Sequence, residues 1–333
     1  MLSTRQEQVL QAVVSSWVGG AAPVSSDTVA AVLPVQLSPQ SVRNTLAELA
    51  KLGLLEKAHH SAGRVPTERG MRIFVDEVLA PTELGPFEKR DLEDLLAAGG
   101  PTGLAERATH LLSERTRQLG FFRAPRLEHL RLRHISFIRV STERVMVIVV
   151  SATGRTYQRL LEEPGTDDQA ALDRMATSLN EHLAGSTLRY AHGRLSREAG
   201  TLREAAALLA RVLRSNGQHA GDDLVLGTRL VLLDQPEFHD PERLRELLRA
   251  VEEKERLVSL VDRVAMGAGV RVAFGTDVSD PSLRDCAVVV AKYGPSESPV
   301  GALGVIGPSR MDFARVVPLV GYVSRMMTRM LPA

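Results

Sequence analysis

The first eighty residues alternate short apolar stripes of helical spacing with strong helix-ending signals. Ser3 is placed to cap a first helix whose apolar residues share one face, and a Gly-Gly pair ends it. A second, shorter helix follows a cap at Ser25 or Ser26 and stops at Pro34, since proline cannot continue a helix. The pattern therefore predicts two consecutive helices joined by a turn.

A third helix follows, with Ser38 as its cap and Pro39 at the first helical position, where a missing backbone donor costs little. Its apolar residues recur at helical spacing; they are Val42, Leu46, Leu49 and Leu52. The stretch LLEKAHHSAGRVPTERG then predicts a strand at Leu54 to Lys57 and a return strand around Arg64 and Val65. Three helices and a hairpin are typical of a winged helix-turn-helix.

The remaining chain mixes helical and strand periods. A connector reaches about residue 96, and the helical stretch LAERATHLLSERTRQLG precedes three strand-like segments, HISFIRV, RVMVIVV and RTYQRLL. Helical patterns resume between residues 167 and 213, DDLVLGTRLVLLD looks extended, and one helix is expected from a cap at Asp240. Three more strands and an amphipathic C-terminal helix complete the chain. The two sets of strands suggest one α+β domain, with room for an insertion.

Composition narrows the class of protein. The chain has 333 residues, enough for two or three domains, and no apolar run near the roughly 18 residues of a membrane helix. The start shows no export signal, and Cys286 is the one cysteine, so we expect a cytoplasmic protein without disulfides or membrane contact. The net charge of +1 excludes a uniformly basic coat but leaves a local basic patch open.

Catalytic and metal sites find little support. The nine histidines show no zinc-ligand spacing, and the glycines of GALGVIG fit neither a dinucleotide-binding turn nor a P-loop. Cys286 begins an apolar strand, which favours a core residue over a nucleophile. We therefore expect no enzyme activity, no cofactor and no metal.

The polar residues of the third helix point to DNA. With the apolar stripe turned inward, the outer face of the helix carries Gln40, Ser41, Arg43, Asn44 and Glu48. Glutamine and asparagine can pair with adenine, and arginine with guanine or phosphate. Between Arg43 and Arg72 the chain has six basic and three acidic residues. A solvated helix face would explain the same residues about equally well.

Two long stretches resemble the bacterial heat-inducible transcription repressor HrcA family. They are VRNTLAELAKLGLLEKAHHSAGRVPTERG and GALGVIGPSRMDFARVVPLV, and the similarity extends in order over nearly the whole chain. The sequence departs from the family at His60, where threonine is usual, and at Met71 and Ile73, where aromatic residues are usual. These departures affect details of the hairpin and of core contacts, not the family.

The resemblance implies an α+β multidomain protein with a winged helix-turn-helix and a GAF-like domain that carries an inserted dimerisation segment. We expect a winged-helix domain at 1–75, a connector at 76–103, a GAF-like domain at 104–166 and 226–333, and the dimerisation segment at 167–225. The resemblance also implies a homodimer on an inverted-repeat operator in double-stranded DNA upstream of chaperone genes, and dependence on the GroEL chaperonin.

In this interpretation Gln40, Ser41 and Asn44 approach base edges and Arg43 contacts guanine or phosphate. The hairpin would contact the DNA backbone or minor groove through Lys57, His60, Ser61 and Arg64. Gly63 and Pro66 would shape the hairpin without binding. The alternative hypothesis is a winged-helix regulator that senses a small molecule through its GAF-like domain, although no convergent polar cluster in the sequence names a ligand.

Overall fold

The computed structural model describes residues 2–35, 37–58, 63–79, 83–98, 103–124, 131–151, 156–162, 168–183, 185–187, 190, 194, 207, 224–278, 280–294 and 301–330. Within these ranges the chain is a mixed α+β protein, as predicted. No helix in the described part is long and apolar enough to cross a membrane.

The three N-terminal helices begin at the caps expected from the sequence. They are α1 (Thr4–Gly20), α2 (Ser26–Val32) and α3 (Pro39–Lys51). Ser3 forms a reciprocal capping box with Gln6, and the side chains of Ser25 and Ser38 each accept a backbone N–H of the first turn that they cap. The apolar stripes of the three helices are buried against one another.

An antiparallel hairpin follows α3 directly. Its strands are β1 (Leu55–Lys57) and β2 (Arg64–Pro66), and the turn between α1 and α2 adds a bridge through Val24 to Arg64. Next come α4 (Glu68–Ile73), a π-helical turn (Phe74–Val78), α5 (Pro86–Ala97) and α6 (Leu104–Thr116). We call residues 2–79 the N-terminal unit.

A five-stranded antiparallel sheet forms the core. Its order is β7-β3-β10-β9-β8, from strands β3 (Leu119–Arg123), β7 (Leu224–Leu226), β8 (Val270–Phe274), β9 (Cys286–Tyr293) and β10 (Gly301–Pro308). Helices α6 and α11 (Phe313–Met330) lie on one face, and α8 (Pro241–Glu252) and α9 (Lys254–Val264) lie on the other. A four-residue helix, α10 (Gly275–Val278), follows β8. Alternate residues of β9 belong to the two separate apolar clusters, which explains its unbroken apolar sequence.

A second sheet is separate from the core sheet. Strands β4 (Leu132–Ser141), β5 (Arg144–Ser151) and β6 (Thr156–Glu162) pair in chain order, and α7 (Gln169–Leu183) packs against β4. The side chain of Asn180 bonds both backbone groups of Ile135, and Gln169 bonds the backbone of Phe137 and Arg139. These bonds satisfy the outer edge of β4, which would otherwise be open to pairing with another strand.

Three sequence expectations differ from the structure. The helix expected to reach residue 120 ends at Thr116, because Arg117 adopts a left-handed backbone with φ 55°, and the unpredicted strand β3 follows. The single helix expected from Asp240 is interrupted at Glu253, whose ψ of 66° is not helical. The extended stretch after 224 is a strand only through Leu226 and then a 3₁₀ turn. The two sets of strands, expected in one α+β domain with room for an insertion, build two separate sheets.

One apolar cluster is continuous between the N-terminal unit and the core. It includes Val13 and Leu49 of the helices, Phe74 of the π-helical turn, and Phe274 and Phe313 of the core. The rings of Phe274 and Phe313 are 5.6 Å apart. Because these residues share one water-excluded cluster, the N-terminal unit is held against the core by the hydrophobic effect as well as by the chain.

Substitution of Gly70 in α4 tests how closely this helix approaches the chain before β1, and Gly19 in α1 is the control position. A Cβ on Gly70 would lie 2.0 Å from the carbonyl oxygen of Leu54, whereas one on Gly19 would meet nothing within 4 Å. We expect Gly70→Ala to lower the free energy of unfolding by about 1–3 kcal/mol and Gly19→Ala to raise it by roughly 0.5–1 kcal/mol. Urea denaturation measures both; equal effects of the two substitutions would contradict the close approach.

Candidate nucleic-acid interface

The polar side chains of α3 lie opposite its buried stripe. Val42, Thr45, Leu46 and Leu49 are buried, whereas Gln40, Arg43 and Asn44 are exposed and Ser41 is half-buried. The buried Thr45 hydroxyl donates to the Ser41 carbonyl oxygen at 3.0 Å, so this one polar group on the inner face is satisfied within the helix. The structure thus brings together all four residues of the helix that the sequence predicted for DNA contact.

Gln40 and Asn44 form a connected pair. The Gln40 amide nitrogen donates to the Asn44 side-chain oxygen at 3.0 Å, one helical turn apart. Each amide keeps further donor and acceptor capacity after this bond. The pair is therefore an amide surface with partly fixed orientation, suited to the donor and acceptor pattern of an adenine edge.

The N-terminus of α3 favours a negative partner. Ser38 accepts the Ser41 N–H at 3.2 Å, Pro39 follows it, and the first turn carries no acidic side chain. A helix N-terminus has a partial positive charge and free N–H groups, which attract phosphate. Exposed Arg43 adds a full positive charge close to this end.

The hairpin places Lys57 directly opposite Arg64. The two residues are register partners at the end of the β-ladder next to the turn, so their side chains share one face of the hairpin. Lys57 is exposed and Arg64 is half-buried. Since like charges in directly opposed positions repel each other, an anion bound across this face would relieve the repulsion.

The first turn of the chain after α1 fixes the position of the hairpin. Arg64 exchanges two backbone hydrogen bonds with Val24, at 2.8 and 2.9 Å. A Cβ on Gly63 would lie 2.6 Å from that of Pro23, so this position needs glycine for close approach. His60 and Ser61, which were also predicted to contact DNA, lie outside the described residues.

Two residues included in the sequence argument are engaged elsewhere. Glu48, considered for the outer face of α3, is half-buried and accepts a hydrogen bond from Gln6 of α1 at 3.1 Å. Arg72, counted in the local basic excess, binds Asp277 of the core at 2.6 Å and also Glu68. The hydrogen bond to Asp277 raises the pKa of Arg72 above its usual value. Arg72 is therefore part of a contact between units, not of the exposed basic face.

The core offers a groove but few groups that could orient a ligand. A groove of about 780 Å³ lies between the turn at 267–269, the end of β9 and the C-terminal half of α11. Its lining is largely glycine, alanine and hydroxyl-bearing residues, with three basic residues: Lys292 on β9, and Arg325 and Arg329 on α11. Among the described residues no group of three His, Cys, Asp or Glu side chains could hold a metal ion.

The family follows from comparison with known proteins. The family model described as "HrcA protein C terminal domain" matches residues 102–317. The heat-inducible transcription repressor HrcA of Nitratidesulfovibrio vulgaris (strain DSM 19637 / Miyazaki F) is 38% identical over 340 residues, which cover 99% of this chain and 96% of that protein. The chain belongs to the HrcA family. Its members are named as transcription repressors, so the family is not one of enzymes.

Further relatives extend over the same length. HrcA of Geobacter sulfurreducens is 33% identical over 99% of this chain and 98% of its own. The crystal structure of a hypothetical protein at 2.2 Å resolution aligns with a TM-score of 0.65 and 23% identity, over 99% of this chain and 100% of that one. That alignment shows a likeness of fold over nearly the full length of both chains.

Cys286, the one cysteine of the chain, is unreactive near neutral pH. Cys286 is buried, and burial together with the nearby Asp285 and Glu237 carboxylates raises its pKa to about 12. A thiol becomes reactive only as the thiolate, so its reactivity rises with pH toward 12 and is negligible near pH 7. We expect Ellman's reagent to label native protein far more slowly than urea-unfolded protein at pH 8. Equal rates would show that the thiol is accessible and activated.

Proposed function

We propose that this chain is a sequence-specific transcription repressor that binds an inverted-repeat operator as a dimer. In this proposal the N-terminal unit is a winged helix-turn-helix, α3 is the recognition helix and the β1–β2 hairpin is the wing. The observation that carries it is the outward row of Gln40, Arg43 and Asn44 on α3, in a family of heat-inducible transcription repressors.

The roles of the side chains follow from their chemistry. Gln40, Asn44 and Ser41 read or approach base edges, and Arg43 contacts guanine or phosphate. Lys57, Arg64, His60 and Ser61 contact the backbone or minor groove, since the opposed Lys57 and Arg64 supply two positive charges on one face of the wing. A dimer repeats this arrangement about a two-fold axis, which matches the symmetry of an inverted repeat.

The experiment is binding of the purified protein to a duplex with the inverted repeat and to a duplex with one half-site scrambled, at fixed salt, with and without GroEL. We expect scrambling to weaken binding at least about a hundredfold, because the second recognition helix loses its base contacts and the avidity they provide. Equal weak binding to both duplexes, even after chaperonin treatment, would refute the proposal.

Two single variants separate base contacts from phosphate contacts in the same measurement. Asn44→Ala should reduce the preference for the intact repeat, whereas Arg64→Ala should weaken all duplexes and lower the slope of log affinity against log salt by about one. Arg315→Ala serves as the control, because Arg315 is exposed on α11 of the core. An unchanged affinity and slope for Arg64→Ala would remove the wing from the interface.

The second sheet supports self-association. Ile138, Met146 and Leu160 form one row across β4, β5 and β6, because Met146 is the register partner of both others. Ile138 is 45% and Leu160 47% exposed. The same sheet buries its other face, where Ile135, Phe137 and Val147 lie. We place the dimer contact on this exposed apolar row and the adjoining segment at 167–225, most of which lies outside the described residues.

The inserted dimerisation segment would then begin near Leu132, earlier than the expected 167.

Substitution of the apolar row tests the dimer. Ile138→Asp should shift the monomer–dimer equilibrium at least about tenfold toward monomer, because a carboxylate would have to be desolvated in the contact. Sedimentation equilibrium measures the shift. Arg133→Asp, at an exposed position of the same strand, is the control. A dimer unaffected by Ile138→Asp would place the contact elsewhere.

Modulation by GroEL is part of the proposal, and the order of the core sheet supports it. Strand β3 at 119–123 pairs with β10 at 302–306, from opposite ends of the core sequence. Such long-range pairing forms slowly and leaves apolar strands exposed during folding. A chaperonin that protects the partly folded chain would determine the amount of active repressor. Heat-damaged proteins that occupy the chaperonin would then lower that amount.

A further inference from the structure

Arg310 joins the core to the end of α1. It follows β10 in the second of the two stretches that carry the family resemblance. One guanidinium nitrogen donates to the Val18 carbonyl oxygen at 2.8 Å, and two others bind the carboxylate of Glu237. The Arg310 side chain is only 12% exposed. The guanidinium is planar, and Glu237 binds two of its nitrogens. The direction in which the third nitrogen donates to Val18 is therefore fixed.

A second polar contact lies at α4, where the first of those stretches ends. Glu68 accepts hydrogen bonds from the hydroxyl and the backbone N–H of Thr276. Arg72 binds Asp277 at 2.6 Å, and its guanidinium lies 5.5 Å from the centre of the Phe274 ring. Asp277 also accepts the backbone N–H of Phe274 at 3.1 Å, so the core side of this contact is itself held in place.

These two contacts constrain the N-terminal unit at separate points. One is at the C-terminal end of α1 and the other is on α4, beyond the hairpin. Helix α3 is in turn held to α1 by the buried stripe and by the bond between Gln6 and Glu48. A single attachment would let the unit rotate, whereas two separate directional attachments define its orientation relative to the core.

We propose that Arg310, together with the Glu68 and Arg72 pair, sets the spacing between operator half-sites that the dimer accepts. They are positioning residues: they contact no base and act by fixing the direction of α3 relative to the core. The inference deepens the proposed function and rests on it. In a dimer held together through the second sheet and the segment at 167–225, the orientation of each unit on its core determines the distance and rotation between the two recognition helices.

DNA geometry makes this constraint measurable. One added base pair moves the half-sites apart by about 3.4 Å and rotates them by about 34°, since a turn holds 10–10.5 base pairs. A rigidly held pair of recognition helices tolerates such a shift poorly. If the two N-terminal units are loosely attached, their recognition helices tolerate a changed spacer better. Such a dimer binds the best operator more weakly, because ordering the units on DNA costs entropy.

The experiment measures affinity for operators whose half-sites are kept and whose central spacer is changed by −2 to +2 base pairs. We expect wild type to lose at least about tenfold for one base pair, because both half-sites can no longer be engaged together. In Arg310→Ala and Arg72→Ala the loss should fall to within about threefold, with weaker binding to the best spacer and an unchanged preference among half-site sequences.

Three further variants guard against unfolding and non-specific charge effects. Arg310→Lys keeps the charge but lacks the planar fork, so it should resemble Arg310→Ala. Thr276→Val removes one hydroxyl at an exposed position and should broaden the spacer profile in the same direction. Arg315→Ala removes a charge five residues from Arg310 on the exposed side of α11 and should keep the wild-type profile. Thermal melts accompany each variant.

The outcomes separate the two proposals. If wild type does not prefer the inverted repeat, the proposed function fails and this inference with it. If wild type binds the repeat but the spacer profiles of Arg310→Lys, Arg72→Ala and Thr276→Val run parallel to its own, the operator reading stands and the positioning role is overturned. Profiles broadened in those variants and sharp in Arg315→Ala support the inference.

Discussion

The apolar cluster shared by the N-terminal unit and the core is the constraint on which the other features depend. It joins the buried faces of α1 and α3, the π-helical turn and the core residues Phe274 and Phe313. A helix as short as α3 gains little stability from its own propensity, so its position depends on this cluster. The exposed polar row is therefore oriented by apolar contacts on the opposite side of the helix.

Charged groups are arranged differently at the contacts that hold the structure together and at the exposed hairpin. The polar groups at these contacts are paired: Arg310 with Glu237 in the core, Arg72 with Asp277 between the unit and the core, and Gln6 with Glu48 within the unit. By contrast, Lys57 stands opposite Arg64, a like-charged arrangement that lowers stability. Natural sequences tolerate such local conflicts mainly at functional sites, which is consistent with an anionic partner at the hairpin.

Local signals predicted the helices and the hairpin of the N-terminal unit well. Ser3, Ser25 and Ser38 are short-range caps, and their bonds lie within three residues. The strand at 119–123 was missed because its partners are β7 and β10, far along the chain, and its five buried residues show no alternation. The contacts of Arg310 with Glu237 and of Glu68 with Thr276 were likewise not predicted, since a polar contact with a distant element leaves no periodic signal.

The same long-range pairings connect folding to the proposed DNA-binding surface. Phe274 ends β8, an edge strand that depends on β9, which in turn depends on β10 and through it on β3. The contact between Arg72 and Asp277 is linked to this sheet, because Asp277 accepts the backbone N–H of Phe274 at the end of β8. A chain with an unfinished core would thus lack both the apolar surface and the polar contact that hold α4. On the proposed function, incomplete folding and loss of operator binding are then one event, since the recognition helix has no fixed direction until the core sheet closes.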